Sequence, residues 1–166
     1  MSEASTISVC TWQAAGGGEV AAVRIAAFLE RIGVSLAVGS VASRAFVPGI
    51  VIRDGALLID PAVPAWPGDL LHEAGHIAVT DAAMRPALCD VPDDPGEEMA
   101  AIAWSWAAAQ ACGVAADDLF HGEGYRGGGG YLAENFAAGR YVGVPMLAWW
   151  GMCSEAAYPA MVRWLR

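Results

Sequence analysis

The ten residues LLHEAGHIAV, at positions 70–79, constrain this chain more than any other stretch. Two of its three histidines stand four residues apart around a glutamate, in a run otherwise made of Leu, Ala, Gly, Ile and Val. At i and i+4 on a helix, both imidazoles project from one face. The apolar neighbours Leu70, Leu71, Ile77 and Val79 imply that the helix is at least half buried, and buried imidazoles and carboxylates require partners. The fold must therefore bring a second polar element against His72, Glu73 and His76. A solvated helix face, the plainer reading of the same residues, has no need of such apolar surroundings.

His72-Glu73-Ala74-Gly75-His76 has the form HExxH. Neutral imidazole nitrogens suit a divalent ion, Zn²⁺ above all, in a tetrahedral site whose fourth corner is left to water. The ion lowers the pKa of that water to about 7. Glu73, beside the first ligand, is placed to take its proton as general base. Ala74 and Gly75 are small enough to let another segment pack close to the ligands. A catalytic zinc site takes a third protein ligand, and no histidine follows at the metzincin spacing. The candidates are Glu97, Glu98 and His121. Glu97 already has a use as the capping partner of Asp94. Glu98 has none, and it shares a helix face with Ala101, Ile102 and Ser105. Glu98 is thus the preferred third ligand and Glu97 the fallback, while a fourth protein ligand such as His121 or Asp94 would argue against catalysis.

Apolar periodicity predicts a helix in GEVAAVRIAAFLERIG, capped by Gly33, and a short strand in VSLAV. GIVIRDGALLID reads as a hairpin turning at Asp54-Gly55. Pro67 suits the first position of a helix reaching about Thr80, with Asp69 complementing the helix dipole. MRPALCDVPDDPG reads as loop. Asp94-Pro95-Gly96-Glu97 resembles a capping box and opens a second helix that stops at Gly113. In the last third, DDLFHGEGYRGGGG begins like a helix and dissolves into glycine, read as a lid or flexible connection. YLAENFAAG and EAAYPAMVRWLR are predicted helical, joined by RYVGVPMLAWWGM. Residues 1–15 are expected to form a frayed tail, and 114–166 a helical C-terminal subregion of a single domain spanning 1–166. The fold class is α+β: a small antiparallel or mixed sheet with a hairpin, packed on a helical core that holds the HExxH helix and a glutamate helix.

Composition excludes several classes of function. Mean hydropathy is +0.41, yet no apolar run reaches the ~18 residues of a membrane span, so no membrane association is expected. A net charge of −9 argues against nucleic acid, whose phosphates demand clustered cations. The N-terminus lacks a secretory pattern. Cys10, Cys89, Cys112 and Cys153 are scattered without a CxxC pair, and are expected to be reduced in a cytoplasmic protein.

HExxH followed by a glutamate on a second helix resembles the gluzincin metallopeptidases. Within these, LLHEAGHIAV with GEEMAAIAWSWAAA is similar to the compact ImmA/IrrE-like group, whose members read HExGH and then E-x-x-A-x-x-aromatic. Glu98, Ala101 and Trp104 match that second pattern. The similarity spans residues 20–110 and includes the order of elements. It implies a zincin-like fold, zinc held by His72, His76 and Glu98, and Glu73 as base in the hydrolysis of a peptide or protein substrate. Gluzincins commonly steady the oxyanion with a His or Tyr from a loop, which makes His121 and Tyr125 candidates, with Arg126 and Tyr131 nearby. The hairpin ahead of the HExxH helix offers an edge strand that a peptide can extend. Beyond the glutamate helix the chain departs from the group, and it lacks the helix-turn-helix module such proteins often carry. Two other expectations compete: a zinc-binding regulatory or interaction module without proteolysis, and a helical structural protein in which HExxH is coincidental.

Overall fold

The structure, a computed structural model, describes residues 6–42 and 45–166. Helix α1 (Gly18–Ile32) ends at Gly33, which closes the helix in the left-handed conformation at φ 90°. Strand β1 (Leu36–Val38) follows, then β2 (Ile50–Arg53) and β3 (Ala56–Ile59). The sheet order is β1-β3-β2, with β1 parallel and β2 antiparallel to β3. This is a small mixed sheet in an α+β fold, with β2 at its edge. Asp54 and Gly55 turn the hairpin with φ of 51° and 73°, the pair of positive angles that a two-residue type I′ turn requires.

Helix α2 (Pro67–Val79) carries HExxH, and every one of its residues is buried. Helix α3 (Pro95–Cys112) starts where expected: the Asp94 carboxylate accepts from the Gly96 and Glu97 amides at 2.7 and 3.1 Å. Its residues Ala100 to Ala109 are all buried, as befits a helix that is apolar all round. A Cβ on Gly75 would stand 2.7 Å from the Ala101 carbonyl oxygen, so α2 and α3 approach more closely there than any side chain permits. Three shorter helices complete the chain: α4 (Ala116–Leu119), α5 (Gly129–Ala137) and α6 (Val144–Trp149). Among the described residues no helix is long and apolar enough to cross a membrane.

Three expectations are corrected. First, of the predicted N-terminal tail, residues 1–5 lie outside the described residues, but 6–15 are packed. Ile7 is wholly buried, and Gln13 N–H donates to Ala65 O while Ala65 N–H donates to Thr11 O, at 2.9 and 3.0 Å. Second, the glycine run is not a free connection, since Gly129 and Gly130 form the first turn of α5. Third, EAAYPAMVRWLR is not helical. Pro159 removes a backbone donor in its middle, and the apolar residues that mimic a helical stripe serve a strap instead. The Val162 amide bonds Met152 O at 2.9 Å, Trp164 O accepts the Trp104 indole at 2.8 Å, and the Arg166 amide reaches Ala78 O at 2.9 Å. Arg85 donates to Ile77 O and Thr80 O, both at 3.2 Å. Together the strap and Arg85 satisfy carbonyls at the end of α2 that no intrahelical donor reaches.

Candidate metal centre

The close approach of α2 to α3 has its consequence one turn earlier on both helices. His72 and His76 project from the face of α2 turned towards α3, and Glu98 meets them from the first turn of α3. His72 Nε2 lies 3.4 Å from Glu98 Oε1, and His76 Nε2 lies 3.1 Å from Glu98 Oε2. The two Nε2 atoms are 3.3 Å apart. A four-coordinate ion with bonds of ~2.0–2.1 Å holds its donors about 3.3 Å from each other, so the imidazole pair already has the spacing such an ion needs, and each oxygen of Glu98 faces one of the rings. Donor atoms of these three residues all lie within 4.8 Å of one another, and no further His, Cys, Asp or Glu joins the group among the described residues. Glu97, the fallback ligand, stays outside it, as do His121 and Asp94. The group can hold a metal ion and leave one corner to a ligand from solvent.

Burial sets the charge states here. It pushes the His72 imidazole down to about 4, helped by His76 and opposed by Glu98. His72 is therefore neutral at pH 7, the state a metal requires. Burial would raise Glu98, but a hydrogen bond from His76 and the charges of His72, His76 and Arg126 hold its carboxyl below the ordinary value. Glu73, only 5% exposed, is raised by burial to about 7, with Asp69 and Glu98 adding to the rise and His76 opposing it. The Nδ1 atoms of His72 and His76 are buried without hydrogen-bond partners.

Helix α2 also carries a polar residue that the sequence reading assigned only to the helix dipole. Asp69 lies one turn before His72, and its Oδ1 is 2.7 Å from His121 Nε2, with both side chains buried. The imidazole of His121 stacks on Trp66, with centroids 4.2 Å apart and planes at 3°, and the Trp66 indole donates to Glu123 at 3.1 Å. The signal available in the sequence was the i, i+3 spacing of Asp69 and His72, which puts both on one face. His121 is thus near the centre but has one ring nitrogen committed to Asp69. Its Nδ1 is buried and unpartnered.

Tyr125 stands closer. Its ring meets that of His72 edge-on at 5.0 Å, and burial holds the phenol well above its ordinary pKa of 10. Its Oη is buried and makes no hydrogen bond of good geometry, although Ser105 lies near enough to oppose that rise. Tyr125 and Arg126 adopt φ of 54° and 53°. Such angles are uncommon outside glycine, and they aim the phenol inward at the end of a glycine-rich turn.

All these groups line one cleft of about 1270 Å³, bounded by β2, the 89–95 segment, the start of α3 and the 121–132 region. That volume exceeds the ~300–1,000 Å³ of ordinary small-molecule pockets. β2 runs along it as an edge strand. The hairpin turn makes Arg53 and Ala56 a hydrogen-bonded pair, so by alternation the backbone groups of Ile52 point to the open edge. Comparison with family models, curated proteins and solved structures finds no match.

Proposed function

We propose that the chain is a zinc-dependent metallopeptidase of zincin-like fold, with His72, His76 and Glu98 as ligands and Glu73 as general base. The observation that carries this reading is the convergence of two imidazoles and a carboxylate, with donor atoms within 4.8 Å of one another, in an open cleft. Zinc is the ion favoured by an N₂O donor set of that size. When bound, it supplies Lewis acidity and lowers the pKa of a water to about 7.

The chain's own residues supply the rest. Glu73, raised to about 7, is matched to accept a proton near neutral pH and return it to a leaving amine. Tyr125 keeps its proton throughout the ordinary pH range and is the better placed donor to a developing oxyanion, because His121 Nε2 is held by Asp69. The free edge of β2 can take an extended peptide as an added strand.

The alternative is a zinc-binding module without proteolysis. It is favoured by one observation, the commitment of His121 to Asp69, which removes an expected oxyanion donor. Glu73→Gln separates the two. A peptidase loses at least 100-fold in activity on a mixture of unstructured peptides while keeping one zinc per chain. A module shows no zinc-dependent hydrolysis before or after the change. Less than stoichiometric zinc in the wild type after zinc reconstitution and dialysis sinks both.

A further inference from the structure

The cleft carries a charge pattern that the metal centre does not explain. Among the described residues seven carboxylates line it, Asp69, Glu73, Asp90, Asp93, Asp94, Glu98 and Glu123, against two guanidiniums, Arg53 and Arg126. Four of the seven have structural or chemical employment close by. Glu98 and Glu73 belong to the metal centre, Asp69 pairs with His121, and Asp94 caps α3. Glu123 accepts only from an indole. Asp90 and Asp93 are exposed, and no Asp or Glu side chain forms an ion pair with an arginine among the described residues. Among the described residues the excess is four negative charges even with Glu73 counted neutral, and two when a divalent cation binds, so the field in the cleft keeps its sign. Low-dielectric walls concentrate such a field and raise the local concentration of opposite charge.

The acidic segment is also placed to act on a bound chain. Gly55 N–H donates to Leu88 O at 2.9 Å, and Cys89 Sγ donates to Asp54 Oδ1 at 3.4 Å, so the segment begins at the hairpin tip. From there Asp90, Asp93 and Asp94 lead to Glu98. The same segment therefore borders the far end of the β2 edge and the metal ligands. Independent features point to a ligand in this place: the open edge of β2, and a buried polar atom without a partner on the wall, His121 Nδ1.

We propose that the cleft selects peptides bearing Lys or Arg beside the segment laid along β2, with Asp90 and Asp93 as the specificity-determining carboxylates. This rests on the reading of the cleft as a peptide-cleaving site and adds to it the chemical class of the substrate. A basic side chain lying over residues 90–93 finds two carboxylates that form no ion pair among the described residues. An acidic one meets repulsion from the same pair, which discriminates by penalty as well as by attraction. The exposed Phe46 and half-buried Val51 on the strand side of the cleft take apolar neighbours, so the favoured segment mixes basic and apolar residues.

The test measures binding apart from hydrolysis. Three N-acetylated, C-amidated octapeptides of equal apolar content carry two Lys, two Gln or two Glu. Each is titrated calorimetrically into zinc-loaded Glu73→Gln protein at 50 and 300 mM NaCl. The Lys peptide is expected to bind at least tenfold more tightly than the Gln peptide at low salt, with the gap narrowing at high salt. Asp90→Asn with Asp93→Asn, both exposed and remote from the core, should close the gap to within threefold. Equal affinity for the Lys and Gln peptides overturns the proposal, as does a gap that the double variant leaves intact or an absence of binding by all three at 1 mM peptide. Preferential binding of the Lys peptide with no cleavage by the wild type keeps this inference and sinks the peptidase reading. Equal binding and cleavage of all three does the reverse.

Discussion

Gly75 and Ala101 fix the distance between the helices that carry the candidate metal ligands: a Cβ on the first would stand 2.7 Å from the carbonyl oxygen of the second. Each lies three residues beyond a ligand, His72 on α2 and Glu98 on α3. Because residues three apart share a helix face, the contact and the ligand cluster are successive layers of one interface. Any widening at Gly75 is transmitted to the spacing of His72, His76 and Glu98.

Gly75→Ala is therefore expected to destabilise the protein and to weaken metal binding together. Alanine gains up to about 1 kcal/mol in helix propensity, but overpacking a buried contact costs about 1–3 kcal/mol, and a backbone oxygen yields less than a flexible side chain. The net loss should be about 1–2 kcal/mol in urea unfolding of the metal-free protein, with zinc affinity down at least tenfold in a chelator competition. Wild-type stability together with wild-type affinity would show that the close approach is not required.

Asp69 offers a contrasting case, since it supports the cleft wall and not the ligands. Asp69→Ala leaves the His121 Nε2 buried without its 2.7 Å partner and should cost about 1–3 kcal/mol. Asp69→Asn keeps an accepting oxygen and should cost less. Neither is expected to lower the zinc content, because Asp69 stands outside the ligand group. Zinc analysis and denaturant melts on the same preparations check both halves, and loss of metal in Asp69→Asn would place Asp69 in the ligand shell.

The parts of the molecule written in local chemistry were legible in the sequence. The Asp54-Gly55 turn, the Asp94 cap, Pro67 at the head of α2 and Gly33 at the end of α1 each depend on residues within four positions of one another, and each stands where the pattern put it. Glu98 was legible for a different reason, as a carboxylate with no local employment on an otherwise apolar helix. What escaped depends on contacts distant in sequence. Asp69 had a sufficient local explanation in the helix dipole, and only the fold brings His121 to it. Residues 155–166 carry the apolar spacing of a helix, yet Trp164 and Arg166 spend their backbone groups on α2 and α3. The N-terminal residues lack any strong pattern, and Ile7 is buried because α1 passes over it.

The pH dependence of the metal-free protein should separate two opposed titrations on adjacent residues. Glu73 is raised to about 7 from 4.5, so folding favours its protonated form. The stability tied to that shift is fully present below pH 4.5 and is lost as pH rises to 7. His72 is lowered to about 4 from 6.5, so folding favours its neutral form, and that contribution is present above pH 6.5 and lost as pH falls to 4. Between pH 4.5 and 6.5 the two slopes oppose each other and the wild type should be nearly flat. Glu73→Gln removes one of them. Its stability should rise with pH up to 6.5 and then level, and at pH 8 it should exceed the chelated wild type by about 3 kcal/mol, the value of a shift of this size. Urea melts at half-unit intervals from pH 4 to 8, in the presence of chelator, read this directly. A Glu73→Gln profile parallel to that of the wild type would mean that Glu73 is solvated in the folded protein, and that burial does not tune it towards a base acting at neutral pH.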